Sequence, residues 1–316
     1  MRAVVISDGH LNVIDRQDPV PGEGELLVAV RAAGLNGADL IQRAGFYPAP
    51  PGSPPDIPGL ELAGEVVAAG PGTTRFKPGD KVMSIVGGGG QAELAVVPDA
   101  TAIAVPEGLS WEEAGGFAEV FVTAHDALFT QGGLQAGDRV LVTGAAGGVG
   151  LAGVQMAHQK GASVVASVRR PELRSAVAGF GATVVGGDGI AGSGPFDLVL
   201  ELVGMPNVAD DLRELATGGR IVVIGVGGGS RGEIDLFQIM SKRATLRGST
   251  LRARPLADKA AATRAAARDL LPGLAAGSLK VPVEEAFDLE DVDAAYERFA
   301  AGGKLGKIIL TMGAAR

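Results

Sequence analysis

The chain has 316 residues, of which 46% are hydrophobic, and its 28 lysines and arginines are outnumbered by 36 aspartates and glutamates, which gives a net charge of −8 at pH 7. An acidic chain repels nucleic acid and anionic membrane surfaces, so we expect small molecules or a second copy of the chain as partners. The absence of cysteine excludes disulfides, thiolate nucleophiles and thiolate metal sites.

The first hundred residues have the pattern of an antiparallel β domain. Strand-like runs at 25–32, 61–69, 81–86 and 91–97 are separated by proline and glycine turns. A proline-rich loop, Tyr47 to Pro58, interrupts them and is too rigid and polar to be core. No long apolar span or cleavable signal peptide is visible, so we expect no membrane segment and a cytoplasmic location.

A helical pattern begins at Ser110, which can cap a helix because Glu113 follows three residues later. The helical pattern continues through Leu128. A length of 316 residues exceeds what one hydrophobic core usually organises. We therefore place a domain junction in this helical region.

From Arg139 onward, strands alternate with helices, which predicts a parallel, doubly wound sheet of the Rossmann type. An alanine-rich helix from about Pro255 to Ala276 follows, and the last elements are expected to return to the first domain. The predicted ranges are 1–118 with 257–316 for the β domain and 119–256 for the Rossmann domain. The predicted Rossmann strands are 139–143, 163–168, 183–185, 196–201, 220–224 and 244–250.

The most informative motif is the glycine cluster between the first Rossmann strand and its helix, with Gly144, Gly147 and Gly150 at regular spacing. Glycines let the backbone bend sharply and approach a pyrophosphate, at which the helix N-terminus aims its N–H groups. A tight turn without a ligand is the alternative. A preceding strand and a second strand at 163–168 favour a dinucleotide site.

The end of that second strand indicates which dinucleotide binds. An NAD site usually places an acidic residue there to bind the ribose 2′-hydroxyl. This chain has Arg169 and Arg170, with Arg174 one turn later. Guanidinium groups suit a 2′-phosphate, which predicts NADPH. The alternative is a solvated, basic start of a helix.

Seven motifs spread along the chain resemble one family, the medium-chain dehydrogenase/reductases, and within it the zinc-independent quinone oxidoreductases related to zeta-crystallin. The resemblance implies an α/β fold with a GroES-like β domain and a Rossmann domain. It also implies a homodimer that pairs edge strands near 244–251. The motifs are AAGLNGADLIQR (32–43), YPAPPG (47–52), PGLELAGEV (58–66), KPGDKV (77–82), GGGGQAEL (87–94), VTGAAGGVG (142–150) and GGKLGKIIL (302–310).

The same resemblance bears on metal chemistry. The zinc alcohol dehydrogenases of this superfamily carry a ligand cysteine where this chain has Asn36 and a histidine where it has Leu60, although Glu61 is retained. Their four-cysteine structural zinc lobe is also missing. We therefore expect no metal and no Lewis acid in the reaction.

Without a metal or a thiol, the nicotinamide carries out the reduction by hydride transfer, and the protein positions an electron-poor acceptor such as a quinone or an α,β-unsaturated carbonyl. The resemblance implies that Asn36 lies beside the nicotinamide ribose and that Tyr47 faces the substrate, so both are catalytic candidates. Tyr47 could equally be an aromatic lid on the proline loop, and Asn36 a turn residue. The cofactor-binding residues expected are Asn36, Thr123, Ala146, Gly147, Gly148, Val149, Ser167, Arg169, Arg170, Val203, Gly225, Val226 and Lys304.

Two other functions fit the same residues. One is an enone or enoyl-thioester reductase in a biosynthetic pathway, in which Tyr47 acts at the atom being protonated. The other is an NADPH-binding structural or regulatory protein with little turnover, as the lens crystallin relatives illustrate. Because one fold supports many functions, the acceptor class is what the resemblance implies.

Overall fold

A computed structural model describes residues 1–313 of the chain. Contacts divide them into two compact units, the first comprising Met1–Val122, Leu251–Gly302 and the residues from Lys307 on, and the second comprising Thr123–Thr250 and Gly303–Gly306. The domain ranges predicted from the sequence, 1–118 with 257–316 and 119–256, put these two boundaries a few residues away from those of the contact-based units. One junction falls within a continuous helix, Ala118–His125, where the sequence pattern has no break.

Fifteen strands and nine α-helices lie in the described residues. The strands are β1 (Arg2–Ser7), β2 (His10–Asp15), β3 (Glu25–Gly34), β4 (Glu61–Ala69), β5 (Lys81–Ile85), β6 (Leu94–Pro98), β7 (Ala102–Ala104), β8 (Arg139–Val142), β9 (Ser163–Ser167), β10 (Ala182–Val185), β11 (Phe196–Glu201), β12 (Leu215–Val223), β13 (Thr245–Gly248), β14 (Val283–Asp288) and β15 (Lys307–Thr311). The helices are α1 (Gly37–Arg43), α2 (Trp111–Gly115), α3 (Ala118–His125), α4 (Gly148–Gln159), α5 (Arg174–Ala178), α6 (Met205–Glu214), α7 (Leu236–Lys242), α8 (Leu256–Ala275) and α9 (Val292–Ala300).

The first unit is built on a mixed sheet with the strand order β14-β15-β3-β4-β5-β7, and β6 also pairs with β3. Strand β3 is mostly buried along its length, and its apolar side chains Leu26, Val28 and Val30 belong to a core that also includes Tyr296 of α9. Strand β15 runs antiparallel to β3, with Leu310 opposite Ala33. This pairing brings the end of the described chain into the first unit.

The helical region that begins at Ser110 is divided into separate segments. The predicted cap is confirmed, since Ser110 Oγ accepts a hydrogen bond from Glu113 N and the Glu113 carboxylate accepts one from Ser110 N. The helical pattern predicted through Leu128 is confirmed, but it is divided, because α2 ends at Gly115, α3 begins at Ala118 and a π-helical segment spans Asp126–Gln131. A Cβ atom at Gly115 would lie 2.6 Å from Ala32 Cβ, so close packing on β3 occupies this position.

The second unit has a six-stranded sheet with the order β10-β9-β8-β11-β12-β13, and every neighbouring pair is parallel. This is the Rossmann order 3-2-1-4-5-6, so the predicted doubly wound sheet is confirmed. The order reverses between β8 and β11, where such sheets bind ligands beyond the carboxyl ends of the strands. No helix within residues 1–313 is both long and apolar enough to cross a membrane.

Candidate functional site

The glycine cluster forms the turn between β8 and α4. Gly144 has a φ of +57°, in the left-handed region that favours glycine. A Cβ atom at Gly150 would lie 2.6 Å from both the Gly144 carbonyl oxygen and Ala145 Cα, so only glycine allows α4 to start this close to the strand. Around Gly147 the space is more open, since a Cβ there would meet one atom at 3.5 Å.

The first turn of α4 presents N–H groups with no partner inside the helix, those of Gly148, Val149 and Gly150. The N-cap is Gly147, which has no side chain to accept from them, and the first turn contains no acidic residue. The positive end of the helix dipole is therefore neither capped by the side chain of its N-cap residue nor neutralised by a carboxylate of its own first turn. These features fit the pyrophosphate of a dinucleotide.

The arginines predicted to select the cofactor follow Ser167, the buried last residue of β9. Arg169 and Arg170 are both exposed. Arg170 Nη1 lies 3.5 Å from Glu172 Oε1, and its guanidinium packs against Gly303, within 2.6 Å of where a Cβ would stand. Arg169 forms no ion pair with any part of the described chain, whereas Arg174 Nε donates to the Val168 carbonyl at 3.1 Å.

The other expected cofactor residues of the second unit lie in loops that are joined to one another. Val203 follows β11, and its carbonyl accepts from Gly228 N at 2.8 Å, which links it to the loop that carries Gly225 and Val226. Half-buried Lys304 lies in the short 303–306 segment, where Gly306 N donates to the Ala146 carbonyl at 2.8 Å. Thr123 is half-buried in α3. The geometry thus gathers Val203, Gly225, Val226, Lys304 and the glycine loop in the second unit.

Glu201, which belongs to no motif of the sequence, organises one of these loops. It is completely buried at the end of β11. Its Oε1 accepts from Val203 N at 2.5 Å and from Gly204 N at 2.6 Å, and its Oε2 accepts from Asn207 Nδ2 at 3.3 Å. An acidic residue at the end of an apolar strand was the available signal. Glu201 fixes the turn that contains Val203.

Glu201 also shares a proton with a second buried carboxyl group, Asp211 of α6. No donor group of the described chain reaches either oxygen of Asp211. Burial, together with the hydrogen bond to Glu201 and its charge, raises the pKa of Asp211 to about 9. A protonated Asp211 can donate its one hydrogen to Glu201, so that only one of the two acids is charged, while its other oxygen stays without a donor.

Asp211→Asn is expected to stabilise the protein at alkaline pH. Between about pH 4 and pH 9, the native state keeps a proton on Asp211 that the unfolded state has released. The free energy of unfolding therefore falls as the pH rises through this range. An asparagine amide keeps the donor at every pH. Urea unfolding at pH 8 should show a gain of about 2 kcal/mol or more.

Asp210→Asn provides the control for this experiment, because Asp210 is the neighbouring acid and faces Arg213 on the surface. It should leave the pH dependence of stability close to that of the original protein. Parallel stability curves for Asp211→Asn and the original protein between pH 5 and 9 would contradict the shared proton.

A second polar cluster lies in the first unit around Lys307, which is only 2% exposed. Its Nζ donates to the Leu35 carbonyl at 2.6 Å and to Asn36 Oδ1 at 2.8 Å, and it lies 2.7 Å from Glu61 Oε1. Glu61 Oε2 accepts from Glu119 N at 2.8 Å. Gly34 leaves the necessary room, since a Cβ there would lie 2.4 Å from Glu61 Oε1. The buried ion pair is therefore fully hydrogen-bonded.

Asn36 is the N-cap residue of α1 and is held by the same cluster. Its Nδ2 donates to the Gly34 carbonyl and to Glu61 Oε1, both at 3.1 Å, while its Oδ1 accepts from Lys307. Both amide hydrogens are used in this arrangement, and one lone pair of Oδ1 remains. Asn36 can therefore accept a hydrogen bond from a hydroxyl group, such as that of a ribose, but has no hydrogen left for a substrate oxygen.

Two carboxyl groups beside this cluster titrate near neutral pH. Burial raises the pKa of Asp39 to about 6, although the N–H groups of Asn36 and Gly59 and the charge of Lys307 act to lower it. Burial, reinforced by the charge of Glu61, raises the pKa of Glu119 to about 8. Neither group forms part of a sequence pattern that indicates a role in the site.

Tyr47, the other predicted catalytic residue, is half-buried just beyond the end of α1. Its carbonyl oxygen accepts from Arg252 Nη1 at 2.9 Å. Both proposed catalytic residues, Asn36 and Tyr47, thus belong to the first unit. Within residues 1–313, no group of three or more histidine, cysteine, aspartate or glutamate side chains is arranged to hold a metal ion.

Two parts of the chain match known family models. Residues 22–131 match the alcohol dehydrogenase GroES-like domain, and residues 178–310 match the zinc-binding dehydrogenase domain. The first match agrees with the predicted GroES-like fold. Together with the parallel sheet, it confirms the α/β fold class.

Relatives of nearly equal length include a quinone oxidoreductase and an acryloyl-coenzyme A reductase. The chain is 32% identical to the human quinone oxidoreductase, covering 93% of this chain and 91% of the relative. It is also 32% identical to an acryloyl-coenzyme A reductase of Metallosphaera sedula, covering 98% of this chain and 100% of the relative.

Solved structures agree with these relationships. The quinone oxidoreductase from Thermus thermophilus, solved also as its complex with NADPH, matches with a TM-score of 0.85 and 33% identity over 98% of this chain and 100% of that one. A thermostable alcohol dehydrogenase from Pyrobaculum aerophilum matches with a TM-score of 0.85 and 30% identity over 98% of this chain and 99% of that one.

Proposed function

Because the chain belongs to the quinone oxidoreductase family of the medium-chain dehydrogenase/reductases, an oxidoreductase superfamily, we propose that it is an NADPH-dependent, metal-free reductase of quinones or related conjugated carbonyls. The observation that carries this proposal is the exposed pair Arg169 and Arg170 after β9, in the place where an acidic residue would select NAD. The zinc-independent quinone oxidoreductases are the subgroup that the motifs resemble.

The residues of the second unit bind and orient the cofactor in this proposal. The N–H groups at the start of α4 bind the pyrophosphate, and Arg169 binds the 2′-phosphate with the help of Arg170. NADPH, when bound, supplies the hydride for the reduction. The solved NADPH complex of the Thermus thermophilus quinone oxidoreductase supports the choice of cofactor.

The residues of the first unit act on the acceptor and the nicotinamide end of the cofactor. Tyr47 donates a hydrogen bond to the acceptor oxygen, on which negative charge develops during reduction. Asn36, held by Lys307 and Glu61, accepts a hydrogen bond from the ribose. A metal has no suitable ligands at the positions of the zinc alcohol dehydrogenases, because Asn36 is engaged and Leu60 is apolar.

A second candidate function is the reduction of an enone or enoyl thioester. The similarity to the acryloyl-coenzyme A reductase favours it, since its identity equals that of the human quinone oxidoreductase. Both reactions add hydride to an electron-poor carbon and leave charge on a carbonyl oxygen, so the same Tyr47 serves either one.

A panel of acceptors tests the proposal. NADPH consumption should be observed with small or polycyclic quinones, and it should exceed the rates with simple enones and crotonyl thioesters. Faster turnover of the thioesters would select the second function. Tight NADPH binding in a calorimeter without turnover of any acceptor would indicate a structural or regulatory protein instead. Zinc-dependent turnover, abolished by chelation, would contradict the metal-free mechanism.

We also propose a homodimer and keep the cytoplasmic location as a prediction. Strand β13 is an outer strand of its sheet, its four residues are all exposed, and Leu246 is 38% exposed. An unpaired edge of this kind favours pairing with another strand. Sedimentation in solution distinguishes a dimer from a monomer.

A further inference from the structure

Arg252 is a buried arginine whose charge has no carboxylate partner at salt-bridge distance within the described residues. Only 6% of it is exposed. Its Nε donates to the Gly87 carbonyl at 2.9 Å, its Nη1 to the Tyr47 carbonyl at 2.9 Å and its Nη2 to Gln42 Oε1 at 2.6 Å. Burying a charge is costly, and neutral acceptors offset only part of that cost. The more distant carboxyl groups of Asp39 and Glu119 also favour the charged form of Arg252.

The three acceptors belong to three separate segments, α1, the turn at Tyr47 and the glycine run 87–90. The glycine run also touches the proline-rich loop that begins at Tyr47, since a Cβ atom at Gly87 would lie 2.1 Å from Ser53 Oγ. The planar, rigid fork of an arginine can hold three such groups at fixed angles. Arg252 therefore fixes the orientation of these segments around Tyr47.

The same guanidinium also contacts the Tyr47 side chain. Its central carbon lies 4.7 Å from the centre of the Tyr47 ring, a cation–π distance. Arg252 thus restrains the residue at two places, the backbone carbonyl and the face of the aromatic ring. Together, these contacts restrict both the backbone position and the direction of the phenol.

We propose that Arg252 is a positioning residue that sets the orientation of the Tyr47 ring and so presents its hydroxyl group to the acceptor. This inference rests on the proposed function, in which Tyr47 donates to the acceptor oxygen. If Arg252 only holds the loops together, its replacement will lower stability but will not act through the Tyr47 hydroxyl. The two roles predict different results in a double-mutant experiment.

Arg252→Lys should keep the positive charge but lose the fork and its flat face. A misplaced catalytic group costs up to about 100-fold in rate, so kcat with a quinone should fall by about 10-fold to 100-fold. The Kd for NADPH should stay within about twofold, because the glycine loop and Arg169 are unchanged. Gln42→Leu, which removes one acceptor, should produce a smaller fall in the same direction.

The decisive comparison repeats each substitution in a Tyr47→Phe background. Once the hydroxyl is absent, Arg252→Lys and Gln42→Leu should cause little further loss of kcat. An equal fold-loss in both backgrounds would overturn the proposal. Arg75→Lys is the matched control, since Arg75 lies 5.1 Å from the Phe76 ring and donates to the Asp99 carbonyl at 2.6 Å. It should leave kcat unchanged.

A measurement independent of turnover separates this inference from the proposed function. The chain contains only two tyrosines, so ring-labelled protein should show two sets of tyrosine NMR signals. Arg252→Lys should shift the Tyr47 ring signals and leave those of Tyr296 in place. Unchanged Tyr47 signals would overturn the positioning role even if quinones are reduced. Shifted signals without quinone turnover would instead leave the positioning intact and reject the proposed reaction.

Discussion

Lys307→Met is expected to lower the free energy of unfolding by about 3–5 kcal/mol, the usual cost of removing one partner of a buried ion pair. Lys307 Nζ lies 2.7 Å from Glu61 Oε1, and the two side chains are 3% and 0% exposed. Without the ammonium group, the Glu61 carboxylate stays buried with only N–H donors from Asn36 and Glu119. Urea or guanidinium unfolding at pH 7 measures the loss.

Two comparisons define the cause of that loss. In the double variant Lys307→Met with Glu61→Gln, no buried charge is left, so part of the lost stability should return. Arg268→Met breaks an exposed contact of 2.6 Å with Asp269 and should leave stability nearly unchanged. A Lys307→Met variant as stable as the Arg268→Met control would show that Glu61 is solvated in solution.

Replacing Arg169 and Arg170 together by alanine is expected to raise the KM for NADPH by about 100-fold, because hydrogen bonds to charged groups contribute about 1.5–3 kcal/mol each. The KM for NADH should change little, since NADH has no 2′-phosphate. Arg169→Ala alone should account for most of the effect, because Arg170 is already near Glu172 and packs against Gly303. Steady-state kinetics with each cofactor measures both values.

A control for net charge is Arg264→Ala, which removes one exposed arginine from α8 in the first unit. It should leave both KM values unchanged. Equal increases for NADPH and NADH in the double variant would remove the assignment of a phosphate-binding pair. In that case, the basic residues after β9 would be a solvated surface.

The parts of the site that depend on neighbouring residues were predictable from the sequence. The strand, glycine turn and helix from Arg139 onward are local signals, and β8, α4 and β9 follow them closely. The Ser110 cap is local as well, because its partner lies three residues away. The length of a helix was less predictable, since the end of α2 at Gly115 depends on its packing against Ala32.

The contacts that hold the candidate residues could not be derived in the same way. Arg252 appeared in no motif that indicated a role, and its acceptor Gln42 is 210 positions away. Glu201 and Asp211 are separated by a turn and most of α6, and neither forms part of a recognisable spacing. Their pairing requires the side chains to be buried together, which no local pattern reports.

The sequence by itself determined the alternation of strands and helices, the glycine turn and the basic residues after β9, because backbone preferences and residue charge act over a few neighbouring positions. Only the tertiary structure decided that Lys307 and Asn36, 271 positions apart, share a hydrogen bond and leave Asn36 as an acceptor. The physical reason is burial. A side chain withdrawn from water must find its partners wherever the fold places them, and that placement depends on the whole chain.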